Sequence, residues 1–132
     1  MIGGPALSVQ EPLAGRRVLI VEDEAMIALL IQDVLTELGS TVVGPASRIE
    51  EAIEWARSSP LDLAALDLNL AGSPVYPVAE ILTDRGVPFV FMTGYGQHGI
   101  AEPWRSRPSI AKPFRPSQLA TFLRDALRAA PA

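Results

Sequence analysis

The chain has 132 residues, 48% of them hydrophobic and 20% charged, with a formal charge of −4. That is the size and composition of one soluble globular domain, which argues against disorder and against a broad basic footprint for nucleic acid. The absence of cysteine removes disulfides, thiolate metal sites and thiol nucleophiles, and a lone histidine cannot build an imidazole site, so oxygen-ligand metal chemistry is what remains.

No apolar run approaches the length of a membrane span, and the amino terminus lacks the pattern of a secretory signal, so a cytoplasmic protein without membrane insertion is expected. Residues 1–15, with Gly3, Gly4, Pro5 and Pro12, read as a flexible leader. Residues 16–130 read as the domain, with no output domain.

Elements then alternate. Arg17–Val21 is a short run apolar on both faces, as a buried parallel strand requires, and it stops at Glu22-Asp23-Glu24. Met26, Ile27, Leu29, Leu30, Val34, Leu35 and Leu38 recur at helical spacing, with Gly39 placed for a left-handed C-cap. Thr41–Val43 is the second strand. Ser47-Arg48-Ile49-Glu50 reads as a capping box opening a helix to about Arg57, with Ile49, Ile53 and Trp55 or Ala56 on its apolar side. Asp62–Asp67 is a third buried strand that again ends in a carboxylate. A less regular helix spans about Tyr76 to Asp84, closed by Gly86, before a fourth strand over Val87–Met92. Ser109–Lys112 is a short fifth strand, and Pro116-Ser117 opens a helix whose stripe is Leu119, Phe122, Leu123, Ala126 and Leu127. The pattern predicts an α/β fold, a doubly wound five-stranded parallel sheet.

Ligands of such folds sit at the carboxyl ends of the strands. Here those ends carry Glu22 and Asp23, Asp67, Thr93 with Gly94, and Lys112 with Pro113. Converging carboxylates repel one another unless a divalent cation neutralises them, and Mg²⁺ suits an all-oxygen site that also takes a phosphate oxygen. A carboxylate can also attack phosphorus, and Lys112, the Thr93 hydroxyl and backbone N–H groups are donors for the equatorial oxygens. Any one of these residues alone has an ordinary reading as a cap, turn or surface group. Four strand ends supplying the four required types in order do not.

On these residues the chain, from about Arg16 to Arg128, resembles a response-regulator receiver domain of two-component signalling, a flavodoxin-like sandwich. The resemblance implies that Glu22, Asp23 and Asp67 hold Mg²⁺ together with the backbone carbonyl of Asn69. It implies that Asp67 is the phosphoacceptor, that Lys112 and Thr93 contact the phosphoryl group, that Gly94 leaves it room, and that Lys112–Pro113 is cis. Phe91-Met-Thr-Gly-Tyr95 further resembles the signature of the FATGUY group of single-domain receivers, several of which act in general stress responses. The expected function is therefore acceptance of a phosphoryl group from a sensor histidine kinase, with signalling by protein interaction or service as a phosphate sink. Its partners would be that kinase and a phosphotransfer or stress-response regulator protein, and the chain would be a monomer or weak dimer. No catalysis is expected beyond self-phosphorylation and self-dephosphorylation at Asp67.

Two other classes are less well served. An aspartyl-phosphate phosphatase-like enzyme would want a second acid where Asn69 stands, and a nucleotide-binding flavodoxin-like domain would want a glycine-rich loop where Glu22-Asp23-Glu24 stands. The aromatic that receivers usually carry three residues before the lysine is replaced by Ser109. Gly96, Gly99, Pro103 and Pro108 predict a short or irregular helix between the fourth and fifth strands. Tyr95 is then the nearest ring available as a switch.

Overall fold

The computed structural model describes residues 10–94 and 99–129. Its sheet is built from β1 (Arg17–Val21), β2 (Thr41–Ala46), β3 (Leu63–Asp67), β4 (Phe89–Thr93) and β5 (Ser109–Ala111). All neighbours are parallel, in the order β2-β1-β3-β4-β5. Among the described residues the α-helices are α1 (Ala25–Glu37), α2 (Ile49–Ser58), α3 (Tyr76–Asp84) and α4 (Pro116–Ala129).

The doubly apolar strands are explained by the layers on either side. Leu19, Val21, Ala64, Leu66, Phe89 and Phe91 face the core under α2 and α3. Their neighbours Val18, Ile20, Leu63, Ala65, Val90 and Met92 face the core under α1 and α4. Strict alternation of side chains along a strand divides each run between two cores, so neither face tolerates a polar residue. The register sets Val21 beside Leu66, Asp67 beside Met92 and Thr93 beside Ala111, which brings the carboxyl ends of β1, β3, β4 and β5 to one edge.

Several expectations need correction. The segment before β1 is not all leader, because Leu13 is fully buried in the α1/α4 core. Ser40 donates its hydroxyl to the Leu13 carbonyl at 2.7 Å, and Glu11 forms a two-pronged ion pair with Arg124 of α4. An apolar residue between Pro12 and Ala14 gives no local pattern by which this docking could be read; residues 1–9 lie outside the described ones. On α1, Met26 and Leu29 belong to the apolar repeat but are 80% and 52% exposed, and the buried stripe is Ala28, Ile31, Val34 and Leu35. The α2 capping box does not form with Glu50. Arg48 is the N-cap, and it is Glu51 that accepts the Ser47 N–H, at 3.1 Å.

β2 runs three residues longer than its apolar core and is irregular beside β1 between Leu19 and Val21. Gly44 is required there: its φ is +95°, and a Cβ would lie 2.8 Å from the Ala46 nitrogen and 3.0 Å from the Ile20 carbonyl. Gly39, at φ +84°, is the left-handed residue that ends α1 as expected.

Between β4 and β5 the described residues include a 3₁₀ turn, Trp104–Ser106, and no α-helix, in agreement with the expected short or irregular element. It is firmly packed. Trp104 stacks on Tyr76 of α3 with ring centroids 6.1 Å apart, and meets Phe91 edge-on. The Tyr76 hydroxyl accepts the Ala101 N–H at 2.8 Å, and the Arg107 guanidinium lies over both Trp104 and Phe89. Ile100 is fully buried beneath.

Candidate functional site

Each site residue sits where its strand runs out. β1 releases Glu22 and Asp23 before α1 begins; Glu22 is 2% exposed, Asp23 is open to solvent, and the Glu24 N–H is held by Glu22 Oε2 at 3.0 Å. Asp67 is the last residue of β3 and Thr93 the last of β4, both buried. Lys112 follows β5, its N–H bonded to the Thr93 carbonyl at 2.8 Å, and the Lys112–Pro113 peptide is cis. Asp23, Asp67, Thr93 and Lys112 line a cleft of about 430 Å³ together with Asn69, Gly72 and Gly94, and Glu22 is buried beside it. A Cβ at Gly94 would meet nothing within 4 Å, so this wall of the cleft is open.

Carboxylate oxygens of Glu22, Asp23 and Asp67 all lie within 4.8 Å of one another. Lys112 Nζ stands 2.8 Å from Glu22 Oε1, 3.1 Å from Glu24 Oε1 and 3.4 Å from Asp67 Oδ1. Burial, reinforced by the neighbouring Glu22 charge and opposed by Lys112, raises the Asp67 carboxyl to about 7. Burial alone would lower the Lys112 ammonium, but Glu22, Asp67 and Glu24 outweigh it and raise its pKa. Glu22 Oε1 is buried, with the Lys112 ammonium as its ion-pair partner. Three converging carboxylates balanced by a single ammonium are a crowded set of hard oxygen donors, which fits a small divalent cation.

The structure thus gathers Asp23, Asp67, Asn69, Thr93, Gly94 and Lys112 into one cleft, with Glu22 joined to it through Asp67, Asp23 and Lys112. Tyr95 lies outside the described residues. Two features were not anticipated. Glu24, the third acid after β1, hydrogen-bonds Lys112; its signal was its place two residues after Glu22. Asn69–Leu70 and Ser73–Pro74 form a two-residue antiparallel hairpin that continues from Asp67 and walls one side of the cleft. Its tip, Ala71-Gly72, has positive φ at both residues, the geometry of a primed two-residue turn, while Leu70 anchors it in the core. Ala71 conceals that turn from a reading based on asparagine and glycine.

Comparison with known proteins agrees with this geometry. Residues 18–124 match the model of the response regulator receiver domain. The chain is 35% identical over 108 residues to the transcriptional regulatory protein PdtaR of Mycobacterium tuberculosis, covering 79% of this chain and 53% of that protein. It is 33% identical over 115 residues to the phyllosphere-induced regulator PhyR of Methylorubrum extorquens, covering 83% and 43%. It therefore spans about half the length of these curated relatives. Among solved structures, SdrG from Sphingomonas melonis Fr1 superposes with a TM-score of 0.77 at 37% identity, over 87% of this chain and 98% of that one. The match over residues 18–124 and the shared doubly wound parallel sheet settle the family: the chain belongs to the response regulator receiver domains.

Proposed function

We propose that this receiver takes a phosphoryl group on Asp67 from the phosphohistidine of a sensor histidine kinase, with Mg²⁺ held by Glu22, Asp23, Asp67 and the Asn69 carbonyl. The observation that carries this reading is that a buried Asp67 carboxylate lies within 4.8 Å of both the Glu22 and Asp23 carboxylates and has the Lys112 ammonium 3.4 Å from its Oδ1. Mg²⁺ would supply charge neutralisation for a phosphoryl group approaching an acidic cleft. This chain's residues do the rest: an Asp67 oxygen attacks phosphorus, the histidine nitrogen leaves, and Lys112 and the Thr93 hydroxyl hold the equatorial oxygens. Asn69 offers no second acid for a phosphatase.

The modified surface signals to a protein partner in a general stress response. Support comes from relatives: one solved PhyR is described as a stress response regulator, and that of Bartonella quintana as an anti-anti-sigma factor. A cytoplasmic location suits a kinase substrate. Among the described residues no helix is long and apolar enough to cross a membrane.

Intact mass after incubation with Mg²⁺ and acetyl phosphate tests the chemistry. One hydroxylamine-sensitive phosphoryl adduct per chain is expected, absent in Asp67→Asn. An undiminished mass shift in that variant overturns the assignment.

A further inference from the structure

Lys112 is the only lysine in the chain, and three carboxylates surround its ammonium. Two of them, Glu22 and Asp67, belong to the cluster that fits a divalent cation; the third, Glu24, does not. Glu24 is also the carboxylate to which the ammonium donates a hydrogen bond, at 3.1 Å, from a side chain that is 60% exposed and reaches over the rim of the cleft.

A cation seated on Glu22, Asp23 and Asp67 changes what Lys112 can hold. Its charge draws the Glu22 and Asp67 oxygens away from the ammonium, and like charge repels the ammonium itself. Glu24 remains as the one neighbouring carboxylate that the cation does not claim. We propose that Glu24 is a positioning residue that tethers the Lys112 ammonium at the cleft rim while a divalent cation occupies the Glu22–Asp23–Asp67 oxygens. The tether keeps the lysine from competing with the cation and leaves it poised for the phosphoryl group. This inference rests on the cation-dependent reading of the site given above.

A double-mutant cycle on Mg²⁺ affinity separates a tether from a mere nearby charge. Wild type, Glu24→Gln, Lys112→Met and the double variant are titrated with MgCl₂ by calorimetry, with Glu24→Asp as the conservative control. Glu24 is a surface side chain, so its variants are expected to fold. Glu24→Gln should weaken Mg²⁺ binding about three- to tenfold in the wild-type background and by less than about twofold once Lys112 is Met, the non-additivity of a pair in contact. Glu24→Asp should restore most of the loss. A second readout uses the uniqueness of the lysine: in protein labelled with ¹³C-lysine, the single Cε signal should stay displaced from the free-lysine position when Mg²⁺ is added to wild type, and move to it in Glu24→Gln.

Equal effects of Glu24→Gln in both backgrounds, or none in either, overturn the tether. So does a lysine signal that responds to Mg²⁺ identically with and without Glu24. A wild type that binds Mg²⁺ and forms the Asp67 adduct while the two substitutions simply add removes Glu24's role alone. A wild type that binds no Mg²⁺ removes the site reading and this inference together.

Discussion

Asp67 shows how strongly one residue's surroundings set its chemistry. Its carboxyl sits at about 7 because it is buried beside Glu22, so the folded protein holds a proton there more tightly than the unfolded chain does. The sign follows: stability contributed by that proton is fully present below the ordinary carboxylate value of 3.8 and is lost as pH rises through about 7. Without Mg²⁺, the stability of Asp67→Asn relative to wild type should therefore rise between pH 5 and pH 8, by on the order of 1–2 kcal/mol in urea unfolding. A wild type that gains stability relative to the variant over the same interval would contradict the assignment. Glu11 has the opposite sign. Hydrogen bonding to Arg124 lowers its pKa, so its contribution is present above 4.5 and is lost as pH falls through the folded value. The pair is partly solvated, which limits it to about 0.5–1 kcal/mol.

At the scale of elements, two irregular segments behave as built structure. The one before β1 is pinned by Leu13, and Leu13→Ala should cost about 2–4 kcal/mol, the range for emptying a fully buried leucine site. A cost below about 0.5 kcal/mol in denaturant unfolding would mean that the segment is dispensable. The turn Trp104–Ser106 is held by aromatic packing of Trp104 against Tyr76, Phe89 and Phe91. Trp104→Ala should cost about 2–4 kcal/mol. Tyr76→Phe should cost only about 0.5–1 kcal/mol, because the Ala101 amide it releases is exposed and water replaces the hydroxyl. That amide should then exchange with solvent faster in Tyr76→Phe, and unchanged protection would show that the hydroxyl does not hold it.

For the molecule as a whole, the sheet edge couples the fold to a ligand. The three acids lie on ends of two strands and are close only in the native state, so Mg²⁺ that binds them stabilises the fold, by about 1.4 kcal/mol at ten times its dissociation constant. Thermal unfolding should shift upward in millimolar Mg²⁺, more at pH 8 than at pH 5.5, where a proton competes for Asp67. Asp23→Asn should abolish the shift, and a melting temperature indifferent to Mg²⁺ would count against the site.

The sheet and its edge were legible in the sequence because parallel strands buried on both faces must be continuously apolar, and because four strand ends carry carboxylate, carboxylate, hydroxyl and ammonium groups in order, a conjunction that points to a site where no one of them would. Arg17–Val21, the run ending at Asp67, and Thr93 before Gly94 carry that signal locally. The span Tyr76–Asp84 matched α3 for the same kind of reason: helical spacing of apolar residues with a glycine beyond it. What only tertiary structure decided depends on partners distant in the chain. Nothing near Leu13 says that α1 and α4 leave a pocket for it, and nothing near Glu24 says that a lysine 88 positions away will reach it. Likewise, the helical period of Met26 and Leu29 does not reveal that neighbouring elements stop short of covering them. Local patterning determines which face of an element is apolar; whether that face, or a given charge, finds a partner is settled by packing between elements, where the interaction energy resides.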